Sequence, residues 1–545
     1  MSAMTFGFCL LLATSVCAHD AASPAAPIAG ERLGSISFPV SCSPAVRSDF
    51  SRGVALLHDF WYAEATPQFE RIAAADPSCA MAHWGIAMSR FHQIWDRPGE
   101  AGMAAGWREM QAAQAKPAKT ARERAYIDAL SQFFRPGAAD YATRISAYAA
   151  AMDKLYRDYP ADVDAGAFYA LALLASVPPD DTSLAQNRKA MAVLSPLWRK
   201  FPDHPGLVHY IIHACDTPAL AADGLAAARH YGEIAASGPH AVHMPGHIFA
   251  RLGLWQEDSD SQLASIAASE AAEAHHQNGW MDQFHSDDFL SYAYLQSGQE
   301  ARAREIAGKS AAAIAHFEAM PDMAPDNYMA DMFPYYRAKL PIFIALETRD
   351  WNSALAIATE KSARPGTQTQ TFWAKVIAAG HLRRAQQARS EMAAYDSAVE
   401  EIKKSPEAYV ATSTGVQIRH GEMLAWVAFA DDDVAQAIRL MRDAADLQDK
   451  VGQGEVDIPA REMLADILLD SGHPAEALTE YRQSMKVSPN RFNGVFGAGK
   501  AAEAVGDKAE ARGYFEALLK FTDNGSASSR PEIAYAKAFL ASANN

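Results

Sequence analysis

Along most of the chain, apolar and small residues recur with helical spacing, in paired blocks joined by short turns. Nowhere is there an apolar–polar alternation bounded by hairpin turns, so the pattern predicts an all-α protein. The blocks also repeat. PAREMLADILLDSGHPAEALTEYRQSMKVSP is followed by FNGVFGAGKAAEAVGDKAEARGYFEALLKF, and Ala465, Ala477 and Tyr481 return 34 residues later as Gly499, Ala511 and Phe515. Gly53, Ala65, Phe69 and Pro77 repeat the same design near the start. Small residues at fixed places let two antiparallel helices approach closely, the aromatic wedges between them, and the proline ends the unit.

These residues resemble the tetratricopeptide repeat (TPR), a helix–turn–helix unit whose copies stack into a superhelical solenoid with a concave groove. Degenerate repeats are read as beginning near Val46, Ala80, Val163, Pro205, Pro239, Phe284, Ile458 and Phe492, with less regular helical pairs over 100–157, 326–360 and 370–443. The motifs ALLHDFWY, DPSCAMAHWGIA and HMPGHIFARLG also make the chain similar to a group of secreted bacterial TPR proteins. That resemblance implies an architecture and no reaction.

The apolar stretch Phe6 to Val16 has signal-peptide length, and Val16-Cys17-Ala18 fits cleavage after Ala18, although no Lys or Arg precedes it. The expected organisation is a signal peptide over 1–18, a flexible Ala/Pro/Ser-rich lead-in over 19–43, and N-terminal repeats over 44–200. Histidine-rich central repeats over 201–320 and C-terminal repeats over 321–545 complete it. The expected location is periplasmic or secreted. No apolar run reaches the length of a membrane span, and 49 basic against 65 acidic residues, a net −16, argue against a nucleic-acid partner.

Cleavage would leave Cys42, Cys79 and Cys215, an odd number suggesting one pair and one free thiol. Cys42 and Cys79 both precede helical patterns, and a bond between them would close a loop of 37 steps; two unpaired buried thiols are the alternative. Cys215 is expected to be buried between helices.

Histidine is concentrated in the centre. His209 and His213, then His243 and His247, form two pairs spaced i, i+4, and the second pair lies 34 residues after the first. Each pair shares one helix face, and the repeat period puts the pairs at equivalent places on neighbouring first helices. In the resembled repeat those places, shared by His240, face the concave groove. Asp216 falls on the His209/His213 face, and His285, Asp288 and Tyr292 occupy matching positions in the next repeat.

Imidazoles and carboxylates gathered this way suit Zn, Fe, Mn or Cu, so His209, His213, His243, His247, Asp216, His285 and Asp288 are the expected metal set. His240 and Tyr292 are expected to line the groove. Pro245 and Gly246 threaten this geometry: a helix starting only at Met244 would leave His243 as a cap and His240 in a loop. A metal-free pocket for an anionic or peptide ligand and a structural polar network stay open beside the metal reading. His58 and His83 are expected to pack against aromatic neighbours.

Walker, dinucleotide-binding, HExxH and GxSxG motifs are all absent. The favoured function is therefore a scaffold that binds a protein, peptide or small molecule in its groove. A metalloenzyme, hydrolase or oxidoreductase, built on the histidines is the alternative.

Overall fold

A computed structural model describes residues 30–94, 97–116, 118–178, 181–319, 329–361, 363–405 and 408–542. The expected signal peptide and its cleavage site, and residues 19–29 of the lead-in, lie outside them. Among the described residues the chain is all-α, with no strand, and consecutive helices pair as antiparallel hairpins that stack into a solenoid. No described helix is long and apolar enough to cross a membrane.

The helices begin where the sequence supplies caps. Asp140, Asp162, Ser413, Asp433 and Asp507 each accept a backbone N–H from the first turn of their helix, and Thr120 forms a reciprocal capping box with Glu123. Pro205, Pro239, Pro245, Pro365 and Pro474 stand in first turns, where the missing N–H costs no hydrogen bond. The small-plus-aromatic pattern is a packing device. A Cβ on Gly53 would lie 2.7 Å from the Phe69 ring, and one on Gly499 would lie 2.6 Å from Phe515. Each wedge fits only because its partner has no side chain.

The lead-in departs from expectation over its described part. Leu33, Phe38, Val40 and Cys42 are buried, and the backbone of 32–35 hydrogen-bonds to Ser237, Ile234 and Asp203. Four apolar side chains among Ala, Pro and Ser are enough to anchor this segment across the N-terminal hairpins. At its end Cys42 and Cys79 sit at disulfide-bonding distance, both buried, with Cα atoms 4.9 Å apart. Cys215 is a free, buried thiol beside Met191.

Contacts between residues far apart in the sequence bridge the superhelix. Trp61 Nε1 donates to the Asn278 carbonyl (2.6 Å), and Asn278 N–H donates to Glu64 (3.1 Å). From the other side, Trp255 Nε1 donates to the Asn490 carbonyl at 2.7 Å, and Tyr292 Oη donates to the Asp457 carbonyl at 2.8 Å. Arg491, 1% exposed, joins Glu347 and Glu462 at 2.8 and 2.9 Å. Two large apolar cores, one built mainly before residue 250 and one mainly after it, meet along this seam. The histidines lie there.

Candidate metal centre

Three neighbouring hairpins supply the imidazoles. His209 and His213 come from the helix Pro205–Cys215; His240 and His243 from Pro239–His243; His247 from Pro245–Leu252; and His285 from Trp280–Gln296. Pro245 interrupts the hydrogen-bond ladder, but Met244 keeps helical dihedrals (φ −54°, ψ −36°) and the helical path begins already at Pro239. His243 and His247 therefore stay one turn apart, with His240 on the same helix. Gly246 matters for a different reason. A Cβ there would sit 1.9 Å from Gln262 Nε2, so glycine admits the Gln262 amide from the helix Trp255–Ala274.

The histidines sort into two groups of three. Ligating nitrogens of His243, His247 and His285 lie within 4.8 Å of one another, as do those of His209, His213 and His240. Expectation had joined the two i, i+4 pairs directly. Adjacent helix axes stand about 8–10 Å apart, so each pair instead takes the nearest third ring. His240 approaches His209 (centroids 5.2 Å) and His285 approaches His243 (4.4 Å).

In the His243 group each ring has a second contact that orients it. His243 Nδ1 donates to Gln262 Oε1 at 2.6 Å, which leaves its Nε2 with the lone pair, 3.0 Å from His247 Nε2. Tetrahedral metal–nitrogen bonds of about 2.0–2.1 Å put neighbouring ligand nitrogens about 3.3 Å apart, close to this spacing. His247 Nδ1 faces Asp216 at 3.0 Å and Glu455 at 3.4 Å, and Arg251 bridges both carboxylates at 3.0 Å. Tyr336 Oη lies 3.3 Å from His285 Nδ1.

The electrostatics follow from burial and neighbours. Burial pushes His209, His213, His243 and His285 well below the usual imidazole range, and mutual repulsion adds to it, so these rings are neutral and hold lone pairs at pH 7. Burial acts the same way on His247, but Asp216 and Glu455 outweigh it and lift the ring to about 10. Asp216 is held below the carboxylate range despite its burial, because Arg251 and His247 face it. His247 is thus protonated at pH 7 with its Nε2–H donating to His243 Nε2, and a metal ion bound there would displace that proton and take over the positive charge that the carboxylates favour.

One expected ligand, Asp288, and one expected groove residue, Tyr292, are elsewhere. Asp288 ion-pairs with Lys339 of the helix Met329–Glu347 and belongs to neither imidazole group. Three residues beyond His285 it is rotated about 60° around the helix, toward that lysine. Tyr292, two turns on, lies about 10 Å further along the axis and is 2% exposed, bonded to Asp457 and Arg491 rather than lining a groove. Asp216 stays at the site: it lies 3.0 Å from His247 and forms with it and Glu455 a further cluster whose ligand atoms are within 4.8 Å of one another. His240, placed in the groove by expectation, joins the first imidazole group. That interior is covered by Phe60, whose ring packs on His209, His213 and His240, and by the irregular segment 452–459 carrying Glu455.

Gln262, Arg251, Tyr336 and Glu455 escaped sequence reasoning. Arg251 stands inside the HMPGHIFARLG motif and was within reach of it. Glu455 is 208 residues from His247 in an irregular segment, with no periodicity to flag it. His58 stacks on Phe168 and also bonds Tyr210 and Asp164, whereas His83 pairs with Glu109.

No family model matches the chain, and no curated protein matches it. Among solved structures, the TPR domain of P58(IPK) matches over 70% of this chain and 99% of that one, at 14% identity and a TM-score of 0.22. What this chain does has to be read from its own side chains.

Proposed function

We propose that this chain is an exported helical-repeat metalloprotein that holds a transition metal ion, zinc or copper, on His243, His247 and His285. The observation that carries the reading is the convergence of three imidazoles, each with a ring nitrogen in contact with a further side chain. Such outer contacts fix the tautomer and aim the ring in metal sites. An all-imidazole set suits zinc and copper better than iron or manganese, which favour carboxylate oxygen. The Cys42–Cys79 pair is compatible with an oxidising compartment.

Catalysis is the second reading, favoured by one feature. Three protein ligands leave a fourth position for water or substrate, as in catalytic zinc sites. A groove-bound peptide is less favoured at the centre, because Phe60 and segment 452–459 cover that face.

Thermal unfolding with and without added Zn(II) or Cu(II) tests the proposal. Metal at a hundred times its Kd adds about 2.7 kcal/mol to stability, so the wild type should gain about 2 °C in Tm. His285→Asn should lose that gain. A wild-type Tm indifferent to both metals would contradict it.

A further inference from the structure

We propose that a hollow among three N-terminal helices binds a small organic anion with a flat aromatic body, of the class of the aromatic carboxylates. The hollow measures about 770 Å³, within the range of about 300–1,000 Å³ that suits a small molecule. Its walls come from the helices Glu100–Gln114 and Ala121–Phe134, the turn after the second, and the start of Tyr141–Asp158. No histidine lines it, so this site is separate from the imidazole groups.

The sequence builds an apolar floor. Met103 and Trp107 are spaced i, i+4 and share the face of Glu100–Gln114 that borders the hollow. Gly106 draws that helix inward, because a Cβ there would lie 2.2 Å from the Phe134 ring. Phe133 and Phe134 end one helix and Tyr141 begins the next, with the Tyr141 ring edge-on to Phe133 at 5.9 Å. Rings arranged this way accept a further flat ring by offset or edge-on packing. Arg144 holds the wall in place. Its guanidinium donates to the carbonyls of Phe133, Arg135, Gly137 and Ala139, which satisfies the open end of the Ala121–Phe134 helix and pins the turn that follows it.

Charge selects the ligand. The lining carries four arginines, Arg97, Arg108, Arg135 and Arg144, against one acid, Glu100: a net +3 on a chain whose own charge is −16. Arg144 is committed to carbonyls. The other three are exposed and form no ion pair among the described residues. Arg97 lies over the Tyr141 ring at 4.1 Å, which keeps a cation beside the aromatic floor. A guanidinium fork takes a carboxylate through two parallel hydrogen bonds. An aromatic ring on the floor with its acid group at the rim therefore satisfies both halves of the hollow. A neutral ring would leave the arginines without a partner, and a bare inorganic anion would leave the floor uncovered.

Isothermal titration calorimetry of the full chain with 2-naphthoate, 2-naphthylmethanol and acetate tests the proposal. One naphthoate should bind per chain, about tenfold more tightly than the alcohol, and acetate should give no measurable heat. Arg108→Gln/Arg135→Gln should bring naphthoate down to the level of the alcohol and leave the alcohol unchanged. Both side chains are exposed, so this variant keeps its fold. Trp107→Ala should weaken both ring compounds. No binding of naphthoate, equal affinity for acid and alcohol, or a naphthoate affinity unmoved by the arginine variant would each overturn the site.

Discussion

His243 and His247 meet through their Nε2 atoms at 3.0 Å, although Pro245 interrupts the helix between them. Their closeness depends on both neighbours of that break. Met244 keeps the helical path, and Gly246 admits Gln262, whose oxygen turns the His243 lone pair toward His247. Outer contacts of this kind are worth about 10–100-fold in metal affinity. Gln262→Ala should therefore weaken metal binding by that factor while the protein stays folded, as competition with a chelator of known affinity would show.

Gly246→Ala attacks the same contact by overpacking. The added methyl would meet the Gln262 amide at 1.9 Å and Asp258 Oδ1 at 2.7 Å. Forcing a methyl into a filled interior costs about 1–3 kcal/mol, so chemical denaturation should show a loss of that size together with weakened metal binding. Unchanged values of both would remove the glycine from the account.

Much of the fold was legible, because the 34-residue recurrence of Gly499, Ala511 and Phe515 states a local packing rule that each hairpin obeys alone. The imidazoles were legible for the same reason, since His209 and His213 recur as His243 and His247. How those pairs divide was not. Helix spacing set the partners, sending His240 to the first group and His285 to the second. The bridging of the superhelix was hidden too, because Glu455 and Arg491 act across more than 190 residues of chain. A one-dimensional pattern carries no such contact.

Arg491 is paired with Glu347 and Glu462, which are 0% and 3% exposed, and from there reaches Tyr292 of the central repeats. Removing one partner strands the others in a dry interior, at a cost of about 3–5 kcal/mol. Arg491→Met should lower stability by that amount in urea or guanidinium unfolding. A loss below 1 kcal/mol would mean that the seam does not depend on this pair.

A covalent tie between Cys42 and Cys79 closes a loop of 37 steps, for which the chain-entropy estimate is about 4 kcal/mol. Labelling the unfolded, unreduced mature chain should find one reactive thiol, Cys215. Reduction should then lower stability by several kcal/mol. Three reactive thiols would exclude the bond.

His381 gives a pH dependence away from the metal ligands. Its ring lies between Trp351 and Trp426, at 3.9 and 4.1 Å, and burial pushes it down to about 3 from an unfolded value near 6.5. The unfolded chain therefore binds the extra proton first. Stability from this ring is complete above pH 6.5 and falls as pH drops toward 3, at about 1 kcal/mol per pH unit. His381→Phe should unfold with a shallower pH dependence between 6.5 and 4 than the wild type. Identical slopes would contradict the assignment.

Metal content per chain tests the central claim most directly, by inductively coupled plasma mass spectrometry on protein purified without a histidine tag and incubated with zinc or copper before desalting. The account predicts at least one stoichiometric zinc or copper ion, and its loss from the His247→Asn/His285→Asn double variant. A wild-type chain that retains neither metal, or a double variant that retains as much as the wild type, would contradict it.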